Sequence, residues 1–318
     1  MTEPLLRRLQ ARGERITVGA LPWVAPVYRA MPHVAEVVEF PFAHGGLQWK
    51  ARRAMAAALR GRFDRAYVCP NSLKSALIPW WAGIPQRMGY QGEMRLGLLN
   101  QRLPNPPKGA RPPMVAFYSA LSGDDNTQDD RPVLHLNTQT IADTCKQAGM
   151  AMQGYYVFAP GAEFGPAKRW PAAHFGALAR QLHLPVLLLG SGKEAVLCAE
   201  IAHIANAGRG EHCINLAGKT TLVSALGLIA GARAMVSNDS GLMHVAAAFG
   251  VAQVAVFGSS SPLHTPPLND AAHVLWLKND PQYHPALDCA PCFERNCPLG
   301  HTRCLNDIAP SEVLRFLQ

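Results

Sequence analysis

The 318 residues are 48% hydrophobic and 16% charged, with a formal charge of +8 and 12 histidines. That apolar fraction excludes a wholly disordered chain, and no window approaches the ~18 apolar residues of a membrane span. The N-terminus, Met1-Thr2-Glu3-Pro4-Leu5-Leu6-Arg7-Arg8, lacks the basic-then-apolar layout of a secretory signal, so a soluble, cytoplasmic chain of one large or two medium domains is expected.

In chain order, Thr2 to Ala11 reads as a helix and Ile16 to Ala20 as a short strand. Lys50 to Arg60 follows as an Ala-rich basic helix, and Ala66 to Cys69 as another strand. The Pro-rich stretch from Asn105 to Pro113 is a loop, and Gly123 to Arg131, with four acidic residues, reads as an exposed linker. A domain boundary is expected near 130–150. The second half then alternates. Strands are expected at Tyr155–Ala159, Pro185–Leu189, Cys213–Leu216, Ala234–Ser237 and Val251–Phe257. Helices are expected at Ala172–Leu182, Glu194–Ala205, Leu222–Ala230 and Leu242–Phe249. Such alternation means a parallel sheet covered on both faces, an α/β fold. Ligands of these sheets bind at the carboxyl ends of the strands.

Three strand ends carry ligand-binding chemistry. After Ala159, Lys168 and Arg169 place two cations beside Pro171 and the helix that follows, where backbone N–H groups favour anions. After Ser237 comes Asn238-Asp239-Ser240-Gly241, with His244 one turn into the next helix. Asp239 or Ser240 would cap that helix, or the Ser240 and Gly241 amides would hold a phosphate that His244 also faces. After Phe257, Gly258-Ser259-Ser260-Ser261 is a small-residue turn that admits a ligand close to the backbone. Together the three loops point to a nucleotide diphosphate.

A competing signal, Gly190-Ser191-Gly192-Lys193-Glu194-Ala195, matches G-x-G-x-x-A, but the strand that follows ends without the acid a dinucleotide fold requires. The spacing also excludes a P-loop.

Four of the eight cysteines cluster as Cys289, Cys292, Cys297 and Cys304. Cys289-Ala-Pro-Cys292 has the spacing of a zinc knuckle, whereas Cys297 to Cys304 is wider than a second knuckle prefers. A structural metal and reduced thiols packing a Pro-rich loop are the two readings.

The charge is uneven. Residues 1–111 hold 17 Lys+Arg against 6 Asp+Glu, while residues 151–318 hold 11 of each. The first half therefore suits an anionic partner: nucleic acid, a membrane face or a phosphorylated substrate.

Pro160 to Pro171, Ser237 to His244, Cys297-Pro298-Leu299-Gly300-His301, Pro70 to Ala76 and Gly89 to Arg95 together resemble the ADP-heptose:lipopolysaccharide heptosyltransferase II family, within glycosyltransferase family 9. The resemblance covers nearly the whole chain. It implies the glycosyltransferase B fold of two Rossmann-like domains, with an acceptor-binding domain at 1–140 and a donor-binding domain at 150–318. The implied reaction is inverting transfer of L-glycero-D-manno-heptose from ADP-heptose onto the first heptose of the inner core, the acceptor being heptosyl-Kdo2-lipid A. Lys168, Arg169, Asp239, Ser240, Gly241 and His244 would hold the donor, with Glu194 a further candidate for the ribose. Asn71, Lys74, Glu93 and Arg95 would face the acceptor. No cofactor is implied.

Family members also begin with a strand and an Asp-bearing turn that supplies the general base. Here that turn is expected to lie ahead of Met1, leaving the catalytic residue unassigned and this chain weakly active or inactive. The cations of the first half, Arg52, Arg53, Arg60 and Arg62 among them, would meet the anionic inner face of the inner membrane without inserting. Two alternatives predict other behaviour. Another nucleotide-sugar enzyme of the same architecture, such as an epimerase, would use UDP-sugars. A zinc-knuckle nucleic-acid binder would bind DNA or RNA with a steep salt slope.

Overall fold

The computed structural model describes residues 1–42, 46–124 and 130–318; residues 125–129 of the expected acidic linker lie outside the described residues. The chain divides into two compact units, Met1–Asp130 and Arg131–Gln318. A boundary at 140 would cut a helix of the second unit, Thr138–Gln147, which starts where the Asn137 side chain accepts the Gln139 N–H.

The first unit runs α1 (Glu3–Ala11), β1 (Thr17–Ala20), α2 (Ala25–Arg29), β2 (Glu36–Glu39), α3 (Trp49–Leu59), β3 (Arg65–Val68), α4 (Leu73–Trp81), β4 (Gln86–Tyr90), β5 (Gln101–Leu103) and α5 (Met114–Ser119). The strands form two parallel sheets, β1-β2 and β3-β4-β5. α3 buries Arg52, Ala56 and Leu59, a spacing of four and three that lays one stripe on the core. That stripe packs with Phe42 and with Ile78, Ala82 and Ile84 from α4 and the turn after it.

The second unit runs α6 (Thr138–Gln147), β6 (Tyr156–Ala159), α7 (Ala172–Gln181), β7 (Val186–Leu188), α8 (Ala195–Asn206), β8 (Cys213–Asn215), α9 (Leu222–Ala230), β9 (Ala234–Asn238), α10 (Gly241–Ala248), β10 (Gln253–Val256), β11 (Ala272–Leu275), α11 (Arg303–Asn306) and α12 (Pro310–Leu314). Its sheet is parallel throughout, in the order β11-β10-β9-β6-β7-β8. The chain begins at the centre, winds outward through β7 and β8, then returns to the other side of β6. β6 and β9 are thus neighbours across the point where the winding direction reverses, the switch point outside whose strand ends ligands of such sheets bind.

All four residues of β6 and all five of β9 are buried, as a sheet covered on both faces requires. Trp170 is buried edge-on against Phe175, with ring centroids 4.8 Å apart, and its Nε1 donates to the Ile308 carbonyl at 3.0 Å. Among the described residues, no helix is long and apolar enough to cross a membrane.

Candidate functional site

The β6–β9 register pairs Ala159 with Ser237, so the loops that follow these strands leave the sheet side by side. Asn238 joins them. Its Oδ1 accepts the Trp170 N–H at 2.9 Å and its Nδ2 donates to the Pro160 carbonyl at 2.6 Å, both buried. The sequence reading passed over Asn238. Its signal is an amide side chain closing a short buried strand, a place where that amide must find partners.

Lys168 ends a short 310 turn, Pro166–Lys168, and its Nζ donates to Asp239 Oδ2 at 2.6 Å. Asp239 Oδ1 accepts weakly from Thr265 Oγ1 at 3.4 Å. The Lys168 ammonium also lies 5.4 Å from the centre of the Phe164 ring. Gly165 is required for this loop to seat: a Cβ there would stand 2.4 Å from the Arg295 carbonyl oxygen, which accepts the Ala167 N–H.

Ser240 occupies the N-cap position of α10 with extended backbone, and its side chain makes no capping bond. Its Oγ is buried without a hydrogen-bond partner among the described residues, as are the hydroxyls of Ser237, Ser259 and Ser260. The capping reading is therefore not realised by Ser240. The first N–H groups of α10 point out of the helix at its start, beside the Lys168–Asp239 pair.

His244 lies one turn further along. Burial is the largest of the causes that push its imidazole down to about 4; Asp239 opposes them, and the Lys168 charge adds a smaller lowering. It is neutral at pH 7, able to donate or accept one hydrogen bond without adding charge.

Arg169 donates weakly to the Ala162 carbonyl at 3.4 Å and keeps a buried Nε without a partner among the described residues. Lys168, Asp239, Ser240, Gly241 and His244 thus gather at the switch point, with Arg169 next in sequence.

Glu194 is placed differently. Its Oε2 accepts both the Ser191 N–H at 2.6 Å and the Ser191 hydroxyl at 2.5 Å, a capping box at the turn leading into α8. Its side chain also fills the space beside Gly161, where a Cβ would stand 2.6 Å from Glu194 Cγ. The Gly190-Ser191-Gly192 segment serves this turn. A groove beside β8, lined by His203, Asn206, Glu211 and Lys219 among others, contains none of the donor residues.

In the first unit the acceptor candidates collect at the carboxyl ends of β3 and β4. Glu93 Oε2 accepts the Leu73 N–H at 2.8 Å, at the start of α4. Lys74 is the second residue of that helix.

Arg95 requires a correction. It is 1% exposed, and its guanidinium is spent inside the protein on the carbonyls of Pro70 (2.8 Å), Gly92 (3.3 Å) and Tyr90 and on Asn71 Oδ1 (3.2 Å). It ties the two loops together and presents no donor to an acceptor.

One of the four surface arginines is corrected as well. Arg52 is 6% exposed, with its guanidinium over the Phe42 ring and bonded to the carbonyls of Leu47 and Lys74. Arg62 pairs with Glu36 at 2.9 Å. Arg53 and Arg60 are exposed.

Cys289, Cys292, Cys297 and Cys304 are free thiols that line one small cavity with His301. Burial pushes the Cys304 thiol up to about 11, with the other three thiols adding to it. Among the described residues, no group of three or more His, Cys, Asp or Glu is arranged to hold a metal ion.

The family model for glycosyltransferase family 9 (heptosyltransferase) matches residues 52–302. Lipopolysaccharide heptosyltransferase 2 of Escherichia coli K12 is 42% identical, over all of this chain and 93% of its own length. Lipooligosaccharide heptosyltransferase 2 of Haemophilus influenzae is 40% identical, over 85% of this chain and 82% of its own. The solved structure of E. coli ADP-heptose LPS heptosyltransferase II superposes with a TM-score of 0.83 at 40% identity, covering 99% of this chain and 92% of that one. The architecture is therefore of the glycosyltransferase B type, and the activity is glycosyl transfer. The chain belongs to glycosyltransferase family 9, the heptosyltransferases.

Proposed function

We propose that this chain transfers L-glycero-D-manno-heptose from ADP-heptose, with inversion, onto the first heptose of the lipopolysaccharide inner core. The observation that carries the donor half is the Lys168–Asp239 pair beside the exposed start of α10, at the switch point of the second unit. A diphosphate placed there meets an ammonium and the N–H groups of Ser240 and Gly241, which stabilise charge on the leaving ADP as the glycosidic bond breaks. Asp239 fixes the position of the Lys168 ammonium. His244, being neutral, orients a hydroxyl or phosphate oxygen rather than neutralising it. The unpartnered Ser240 hydroxyl supplies a further bond.

The first unit takes the acceptor, heptosyl-Kdo2-lipid A, with Asn71, Lys74 and Glu93 at the carboxyl ends of β3 and β4 and Arg95 holding that wall in shape. The acceptor's phosphates suit the excess of 17 basic over 6 acidic residues within 1–111. The protein works at the cytoplasmic face of the inner membrane as a peripheral enzyme. The general base that deprotonates the acceptor hydroxyl is assigned to no described residue.

The test is to incubate the protein with ADP-heptose or with UDP-sugars and with heptosyl-Kdo2-lipid A, reading the lipid by mass spectrometry. Addition of one heptose, at the low rate expected while no described residue serves as base, and from ADP-heptose alone, is the predicted result. Turnover of UDP-sugars in preference overturns the reading.

A further inference from the structure

The first unit carries an aromatic cluster on its surface that its own core uses only in part. Trp49 opens α3 and Trp80 and Trp81 close α4, which packs beside it. The Trp49 and Trp81 rings meet edge to face at 4.5 Å, and Trp80 lies 6.4 Å from Trp81. Trp81 turns partly onto the core, while Trp49 is 47% exposed and Trp80 45%, with Leu47 exposed just before Trp49. Single exposed apolar side chains need no explanation, but contiguous indoles do.

Cations flank them. Lys50 and Arg53 are exposed, and Arg53, four residues after Trp49 on the same helix, lies on the Trp49 face. Neither α3 nor α4 contains an acidic residue, and no Asp or Glu occurs from Phe40 to Phe63.

We propose that the face formed by Trp49, Trp80, Leu47, Lys50 and Arg53 is where this protein docks on an anionic phospholipid bilayer. Indoles favour the headgroup level, where the ring leaves water and the N–H stays hydrated. Cations beside them are drawn to an anionic leaflet, each strengthening attachment several-fold. A single-stranded nucleic acid would also meet cations and rings, but the aliphatic Leu47 in the same patch favours lipid. The face deepens the reading of a membrane-borne acceptor and rests on it for its purpose, and its lipid affinity is measurable without turnover.

The experiment is sedimentation of the full chain with phosphatidylglycerol–phosphatidylethanolamine vesicles, with phosphatidylcholine vesicles and an RNA oligonucleotide as alternatives, beside calorimetric titration with ADP-heptose. The wild type is expected to sediment with the anionic vesicles only, its tryptophan emission moving to shorter wavelength. W49A/W80A and, at exposed positions that carry no packing, K50E/R53E are each expected to weaken that binding by about tenfold or more, with ADP-heptose affinity unchanged in both and thermal melting unchanged in K50E/R53E.

Vesicle binding by K50E/R53E equal to that of the wild type overturns the proposal. So does a preference for the oligonucleotide, or a wild type that ignores anionic vesicles. If ADP-heptose still binds in those cases, the donor reading stands without the face. Vesicle binding without ADP-heptose binding has the opposite meaning.

Discussion

Lys168 Nζ stands 2.6 Å from Asp239 Oδ2, although 71 residues separate them in sequence. The sheet order makes β6 and β9 neighbours, and that adjacency alone brings the two loops together. The pair is largely shielded, with side-chain exposures of 19% and 9%. Lys168→Met strands the Asp239 carboxylate. The ligand-free protein should lose about 1–3 kcal/mol, after allowance for residual solvent, seen as a lower urea midpoint.

Asn238 is the second point of assembly, because its amide bonds both the β6 loop and Trp170. Asn238→Leu keeps the branched shape, with bulkier methyls, but leaves the Trp170 N–H and the Pro160 carbonyl unpaired. A loss of about 2–4 kcal/mol is expected from two buried orphans. Denaturant unfolding measures it, and the variant should also bind ADP poorly.

His244 predicts a pH dependence with a definite sign. Its folded value, about 4, lies below the ordinary histidine value, so on acidification the unfolded chain takes up a proton before the folded one. Its contribution is complete above about pH 6.5, falls by at most ~1.4 kcal/mol per pH unit between there and about pH 4, and levels off below. His244→Gln should flatten the stability profile in that window and leave its slope above pH 7 unchanged. Urea midpoints across the pH series test this.

Glu194 separates a turn-holding role from ligand contact. If its work is the capping box with Ser191, Glu194→Ala lowers stability by about 1–2 kcal/mol while ADP affinity stays within about twofold. A loss of affinity well beyond that, at unchanged stability, would place the carboxylate on the ribose.

Arg95 behaves as a buried strut. Arg95→Ala orphans the carbonyls of Pro70 and Tyr90 and should cost about 3 kcal/mol or more. Arg95→Lys should restore little, since an ammonium cannot span that set of acceptors. Thermal melting reads both.

How much of this was legible in the sequence differs between the units. In the second unit β6, β7, β9 and β10 are buried on both faces, so they appear as apolar runs between amphipathic helices and were read to within one or two residues of their ends. In the first unit β4 (Gln-Arg-Met-Gly-Tyr) and β5 (Gln-Arg-Leu) are short and half-exposed. Tertiary pairing, not side-chain pattern, makes them strands. α4 was hidden by Pro79 and its two terminal tryptophans. At the site, each strand-end residue could be singled out by type, but the Lys168–Asp239 contact is a product of topology. Arg95 was misjudged because an arginine in a Gly-rich loop reads as a ligand contact. Its burial depends on four partners spread from Pro70 to Gly92.

The most direct test of the central claim is calorimetric titration of ADP-heptose and of a UDP-sugar into the wild type and Lys168→Ala. One ADP-heptose per chain is expected, bound in preference to the UDP-sugar and weakened roughly 30-fold or more by loss of the ammonium. Equal affinity of the two proteins for ADP-heptose, or preference for the UDP-sugar, would contradict a donor diphosphate held at Lys168 and the start of α10.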